Sequence, residues 1–335
     1  MSQNRGPSLK RIDVHCHFIP NFYRVELEAH GLHRPDGIAS IPRWSAADAL
    51  ATMDLLGVET AFLSISSPGV HFGEDMAARA LARRVNEEGA RLTELHKGRF
   101  GFFASTPLPD SEGAVVEARY ALDELGADGV ILETNFRGVY LGNESLDPLY
   151  KELNARRAVV FIHPTSPHCP CCSNDRQDEA ANSVALGYPR PMLEFIFETT
   201  RTVTNMVLSG VLERYPNMKV VVPHAGAALP VLAGRVELLL PMLTPPGAAR
   251  PPSLRTALKK MHFDLAGTPV PELLGALLHV ADPERIHYGS DFPFTPAHVC
   301  EALLSQLNET PILNEELKQR VMSGNARRLF PRLSQ

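Results

Sequence analysis

The chain is predicted to fold as an α/β protein, a (β/α)8 TIM barrel with loop insertions over the C-terminal face. Three observations carry this. Eight short apolar, β-branched runs alternate with longer helix-patterned segments across 335 residues. The polar residues suited to chemistry fall at the C-terminal ends of those runs. No repeat, low-complexity tract or sharp composition shift divides the chain, so residues 1–335 read as one domain. A doubly wound open sheet is the second choice.

The predicted strands are 11–18, 60–66, 99–106, 128–134, 158–165, 219–225, 260–266 and 285–291. Helix patterns lie at 45–56 after the N-cap candidate Ser45, 75–96, 111–125 after Asp110 or Ser111, 147–156, 191–214, 228–240, 271–280 and 312–328. Pro148, Pro191 and Pro271 stand at or near helix starts, where a missing N–H is tolerated. The excursions 19–44 and 166–190 and the proline-rich 241–253 read as loops over the top of the barrel. Structureless loops of such length are uncommon unless they bind or gate something.

A net charge of −5 with interspersed signs and no basic block argues against nucleic acid or an acidic membrane as partner, and leaves a small molecule. The first ten residues hold no apolar core of a secretory signal, so a cytoplasmic location is expected. No uninterrupted apolar run approaches the roughly 20 residues of a membrane span. The richest, Leu229 to Leu243, is broken by Arg235 and Glu237. Five cysteines, an odd number, suit a reducing compartment. Cys169, Cys171 and Cys172 are clustered, but Cys16 and Cys300 alone remain to complete a closed zinc site, so the cluster reads as a loop with incidental thiols.

The candidate site starts in the first strand, Arg11-Ile-Asp-Val-His15-Cys-His17-Phe18. Strand alternation puts His15 and His17 on one face and Val14, Cys16 and Phe18 on the other. His163 ends the fifth predicted strand, His224 the sixth and Asp291 the eighth. Four histidines and a carboxylate on one rim suit zinc, and also manganese or iron(II). Asp264, ending the seventh strand, reads first as a structural hydrogen-bonding group. Phe18, Tyr188, Phe195, Phe292 and Phe294 are candidates for an apolar wall beside the substrate.

The ordered set Ile-Asp-Val-His15-Cys-His17-Phe, His163-Pro, Pro-His224-Ala-Gly and Gly-Ser-Asp291-Phe-Pro-Phe resembles the amidohydrolase superfamily. More narrowly it resembles the branch of metal-dependent non-oxidative decarboxylases that includes the aminocarboxymuconate-semialdehyde, γ-resorcylate and 6-methylsalicylate enzymes. The similarity runs over nearly the whole chain, including Leu208-Ser-Gly-Val-Leu-Glu-Arg-Tyr-Pro and Ser323-Gly-Asn-Ala. It implies that His15, His17, His163 and Asp291 bind one divalent ion, zinc first and manganese second, with His224 nearby and unligated. It implies that Arg235 reaches a substrate carboxylate across the interface of a homodimer or homotetramer. It also implies an arginine from the first long loop, for which Arg34 and Arg43 both qualify. The fourth predicted strand, Gly129-Val-Ile-Leu-Glu-Thr134, has no lysine to bridge a second ion. The sole tryptophan, Trp44, is not in the loop after the fifth strand, where the aminocarboxymuconate-semialdehyde enzyme places one over its substrate.

The expected reaction is loss of CO2 from an ortho-hydroxy aromatic acid such as 6-methylsalicylate, with Asp291 delivering a proton to the ring carbon and His224 orienting the carboxylate or handling a water. A metal-dependent hydrolase of a lactone or amide is the rival enzymatic reading. A non-enzymatic metal-binding barrel ranks below both, because five polar groups at one rim are costly to bury without use.

Overall fold

The computed structural model describes residues 10–169 and 187–334. Eight parallel strands stand side by side in chain order: β1 (Arg11–His17), β2 (Val58–Ser64), β3 (Phe100–Ala104), β4 (Gly129–Glu133), β5 (Val159–His163), β6 (Lys219–Val222), β7 (His262–Asp264) and β8 (Ile286–His287). The ring closes where the chain beyond β8 meets β1. Val14 N donates to Tyr288 O at 3.0 Å, Asp291 N to His15 O at 2.8 Å, and Cys16 bridges Phe292. Each predicted strand is present; the second begins two residues early, at Val58, and the others stop short of their predicted bounds. They were visible because strands covered on both faces read as near-continuous apolar runs.

The barrel interior is a packed floor. Ile12 and Val14 join Phe62, Phe103, Ile131, Phe161 and Val221 in one buried cluster. Phe330, from the C-terminal segment, plugs it from below, its ring 4.1 Å from Phe62. A second and larger cluster, which takes in Cys16 and Phe18, lies between strands and helices. Val14 therefore does not share a side with Cys16 and Phe18, as strict alternation predicted. Asp13 pairs with Ala61 and Cys16 with Leu63, three steps on β1 against two on β2. This bulge shifts the alternation, so that Ile12 and Val14 point inward below it and His15 and His17 point inward above it.

Ser45 caps the helix Ala46–Leu56 by accepting from Asp48 N at 3.1 Å, and Gly57 ends it in the left-handed conformation, φ 64°. Two helices escaped the sequence pattern. Asn21–Ala29 occupies part of the excursion read as loop; it buries only Tyr23 and Leu27. Ala297–Glu309 follows β8 and packs Cys300, Leu304 and Leu307 inward. The predicted 312–328 helix is present as one helical run from Glu315 to Leu329, whose middle turn, Arg320–Gly324, is π-helical, and it leads to Phe330. The predicted 191–214 helix begins at Glu194 and breaks after Leu208, where Gly210 takes φ 76°.

The helix Leu229–Leu243 runs on through Pro241 into the stretch read as loop. With the turn before it, His224–Leu243 is long and apolar enough to cross a membrane by length and composition, even with Arg235 and Glu237 inside it. Leu229, Pro230 and Ala233 pack it on the barrel. Cys169 is disulfide-bonded, against the expectation of incidental thiols, while Cys171 and Cys172 lie outside the described residues. So does most of the predicted loop 166–190.

Gly129 sets how closely β4 and β5 approach. A Cβ there would lie 2.4 Å from Val159 O, a backbone atom that cannot step aside. Gly129→Ala is expected to lower stability by about 1–3 kcal/mol or more, read as a fall in the urea midpoint by circular dichroism. An unchanged midpoint would mean that the strands separate freely.

Candidate metal centre and its cavity

The bulge that turns His15 inward frees its backbone N–H from the ladder, and a side chain takes it. Asp13 Oδ1 accepts from His15 N at 3.0 Å and also from Ser290 N at 3.0 Å. One buried carboxylate thus ties the strand carrying two histidines to the segment carrying Asp291. Burial pushes Asp13 up to about 7, against the pull of Ser290 and the His15 N–H.

Four side chains meet on the floor. His15 Nε2 and His17 Nε2 are 3.1 Å apart, and Asp291 Oδ1 stands 3.2 Å from His17 Nε2 and 3.5 Å from His15 Nε2. With His163 they offer ligand atoms within 4.8 Å of one another. Two bonds of ~2.1 Å span ~4.2 Å, so small rotations close the set on a single ion. These four residues form a metal-binding site.

A second ring of contacts orients them, as metal-ligating histidines require. His15 Nδ1 lies 3.0 Å from Asp264 Oδ2. His17 Nδ1 lies 3.0 Å from Ser64 Oγ. His163 has Glu133 Oε2 3.4 Å from Nδ1 and Ser66 Oγ 3.4 Å from Nε2. Asp264 is thus the hydrogen-bonding group the sequence suggested, and its Oδ1 also accepts from His224 N at 3.1 Å. Glu133, Ser64 and Ser66 were missed. Glu133 carried the same signal as the chosen residues, a polar side chain at the C-terminal end of a strand.

Burial pushes His17, His163 and His224 below the ordinary imidazole value, which keeps them neutral and their lone pairs available. Burial works the same way on His15, but the carboxylates of Asp264 and Asp291 outweigh it and carry His15 up to about 10. Burial would raise Asp291; the hydrogen bonds from His15 and His17 overcome it and hold the carboxyl well below its usual range. His224 and Asp291 both adopt left-handed backbone, φ 56° and 60°. For residues with a side chain this is strain that the surroundings must hold in place, and it gathers at working sites.

A cavity of about 260 Å³ opens above the floor, walled by His163, His224 and Asp291 on the polar side and by Ile38, Phe195 and Phe294 among the apolar groups. His224 Nδ1 is buried without a hydrogen-bond partner. Of the other aromatic candidates, Phe18 packs in the outer core beside Trp44 and Tyr188 donates to Glu194. The structure does not bring Arg34, Arg43 or Arg235 to this cavity: all three are exposed, and Arg34 Nε donates to Ile38 O at 3.2 Å.

Membership in the ligand set separates the histidines. His17→Ala is expected to lose bound metal, whereas His224→Ala keeps a stoichiometric ion, both read by elemental analysis of the purified proteins. Equal metal content in the two variants would break the assignment.

Residues 12–332 match the amidohydrolase (Amidohydro_2) family model. The chain is 39% identical over 331 residues to the 6-methylsalicylic acid decarboxylase acuB of Aspergillus aculeatus, covering 96% of each chain. The solved structure of an amidohydrolase II superposes with a TM-score of 0.86 at 33% identity, over 97% of this chain and 100% of that one. The dihydroxybenzoic acid decarboxylase of Polaromonas, solved with manganese and an inhibitor, shares the fold at a TM-score of 0.78 and 21% identity, over 97% of this chain and 98% of that one. With eight strands closed into a barrel, three histidines and an aspartate at its mouth, and a match along nearly its whole length, the chain belongs to the amidohydrolase family.

Proposed function

We propose that the chain is a metal-dependent decarboxylase of an aromatic acid with a hydroxyl ortho to its carboxylate, such as 6-methylsalicylate. The observation that carries the reading is the double placement of Asp291. The same carboxyl lies against His15 and His17 and also lines the cavity, so it reaches both the ion and the ring. The similarity to acuB supports the same reaction class.

Held by His15, His17, His163 and Asp291, the ion would supply a Lewis acid for the substrate. Zinc is proposed, because three imidazoles and one carboxylate suit it; the manganese in the Polaromonas enzyme makes that ion the competitor to test. A carboxylate that would hold the ion carries no proton, so Asp291 must collect one before it delivers one. The substrate's ortho hydroxyl is the adjacent source. Asp291 takes that proton and passes it to the carboxyl-bearing ring carbon; the bond to the carboxyl group then breaks and CO2 leaves. His224, neutral and with Nδ1 unpaired, hydrogen-bonds the substrate carboxylate and holds it out of the ring plane. Phe195 and Phe294 exclude water from the ring.

A homodimer is proposed as the working form. The helix Leu229–Leu243 exposes Val231, Leu238, Met242 and Leu243, a stripe too apolar to face water across its whole length, and Arg235 stands in its middle. A second copy seated on this stripe buries it and carries Arg235 toward the neighbouring site.

Metal-reconstituted protein is expected to release CO2 stoichiometrically from 2-hydroxy-6-methylbenzoate, with Asp291→Asn slower by at least about 100-fold. Ring opening of lactones without CO2 release would overturn the reading in favour of hydrolysis. Elemental analysis and reconstitution with zinc or manganese decide the ion. Leu238→Glu is expected to shift the protein toward monomer in sedimentation velocity; an unchanged sedimentation coefficient would remove the stripe from the interface.

A further inference from the structure

The cavity has a second polar point, Asp36, which neither the ion nor the proposed proton transfer uses. It lies on the turn Pro35–Gly37, where Asp36 has φ 54° and Gly37 φ 76°. Two successive left-handed residues are held there by tertiary contacts. Ser166 donates twice to Asp36 Oδ1, from N at 3.2 Å and from Oγ at 2.5 Å, and the Ser67 hydroxyl donates as well. A Cβ on Gly37 would lie 3.0 Å from Arg190 Nη1, so the turn rests directly on that buried arginine.

Each of these neighbours is a donor or a cation. A carboxylate offers about four acceptor positions; the three donors named leave one, on a residue that lines the cavity. Ser166 follows His163 by three residues and Ser67 follows Ser66, which touches His163. The turn is therefore braced against the end of β5, which carries His163, and against the end of β2, whose Ser64 and Ser66 lie beside His17 and His163. Ile38, Met192, Phe195 and Ile196 line the cavity beside the neutral Ser66, Ser67 and Thr268, and no lysine or arginine among the described residues lines it. A second carboxylate on the ring would meet Asp36 with no cation on the cavity wall to offset it.

We infer that Asp36 is a specificity-determining residue: it accepts a hydrogen bond from a second ring hydroxyl and bars acids that carry a second carboxylate in that place. The inference rests on the decarboxylase reading for the aromatic acid, but the discrimination is read by binding as well as by turnover.

The test uses the metal-loaded full chain with 2-hydroxybenzoate, its 2,4- and 2,5-dihydroxy forms, and the acids with a carboxylate at those positions, 2-hydroxyterephthalate and 4-hydroxyisophthalate. Calorimetry gives Kd and CO2 release gives kcat/KM. At least one dihydroxy acid is expected to exceed the parent by about tenfold or more in both, and Asp36→Leu to bring that ratio near one. Asp36→Asn keeps the shape, tolerates the left-handed turn and retains an acceptor. It should keep part of the hydroxyl preference while tightening the matching dicarboxylate by about tenfold. Wild-type protein that ranks no dihydroxy acid above the parent, or variants that leave the ratios unchanged, would overturn the inference. Shifted Kd ratios with no CO2 from any acid would sink the decarboxylase reading and leave the subsite standing. CO2 release with unchanged ratios would do the reverse.

Discussion

The bulge in β1 is the constraint on which the site depends. A strand alternates strictly, so Ile12, Val14 and both histidines cannot all face the barrel interior without one extra residue. The bulge between Asp13 and Cys16 supplies it. Below it the chain contributes to an apolar floor with Phe62, Phe103 and Phe161; above it His15 and His17 stand on that floor, the His15 ring 4.9 Å from Phe161. The extra residue costs a ladder hydrogen bond, and Asp13 restores it at His15 N. Because the same carboxylate holds Ser290 N, the residue before Asp291 is fixed by the device that aims the histidines.

Carboxylates and imidazoles alternate above this floor. Asp264 faces His15, Asp291 lies between His15 and His17, and Glu133 faces His163. Unpaired, such polar groups would be costly to bury, and their mutual hydrogen bonding is what makes a dry site tolerable. The arrangement also fixes protonation. Burial keeps three imidazoles neutral, and the histidine contacts keep Asp291 ionised. Left-handed backbone at His224 and Asp291 shows that the surroundings impose these positions rather than merely permit them.

Much of this was legible in the sequence, and the rest was hidden for physical reasons. His163, His224 and Asp291 stood out because a polar side chain ending an apolar run has few uses except at a barrel mouth. The bulge was not legible, since period-two alternation assumes that no residue is inserted. Glu133 was visible but read only for the lysine its strand lacks. The helix Ala297–Glu309 had a signal, Pro296 ahead of Cys300, Leu304 and Leu307, which the later 312–328 pattern overshadowed. Arg34 and Arg43 drew attention by their charge, yet the charged residue between them that lines the cavity is Asp36, and its donors Ser67 and Ser166 are distant in the chain.

The double placement of Asp291, against His15 and His17 and in the cavity wall, also constrains the chemistry. A carboxylate that would hold the ion carries no proton, so it can act as an acid only after a neighbouring group gives it one. In the proposed reaction that group is the substrate's own ortho hydroxyl. This couples the departure of CO2 to the presence of that hydroxyl: an acid without it can enter the cavity and meet the ion, yet leaves Asp291 with nothing to transfer. Discrimination at the ortho position then falls on proton supply, while discrimination across the ring falls on the wall that Asp36 occupies. The two are set by different strands and loops, which allows the far wall to change its preference while the proton path stays as it is.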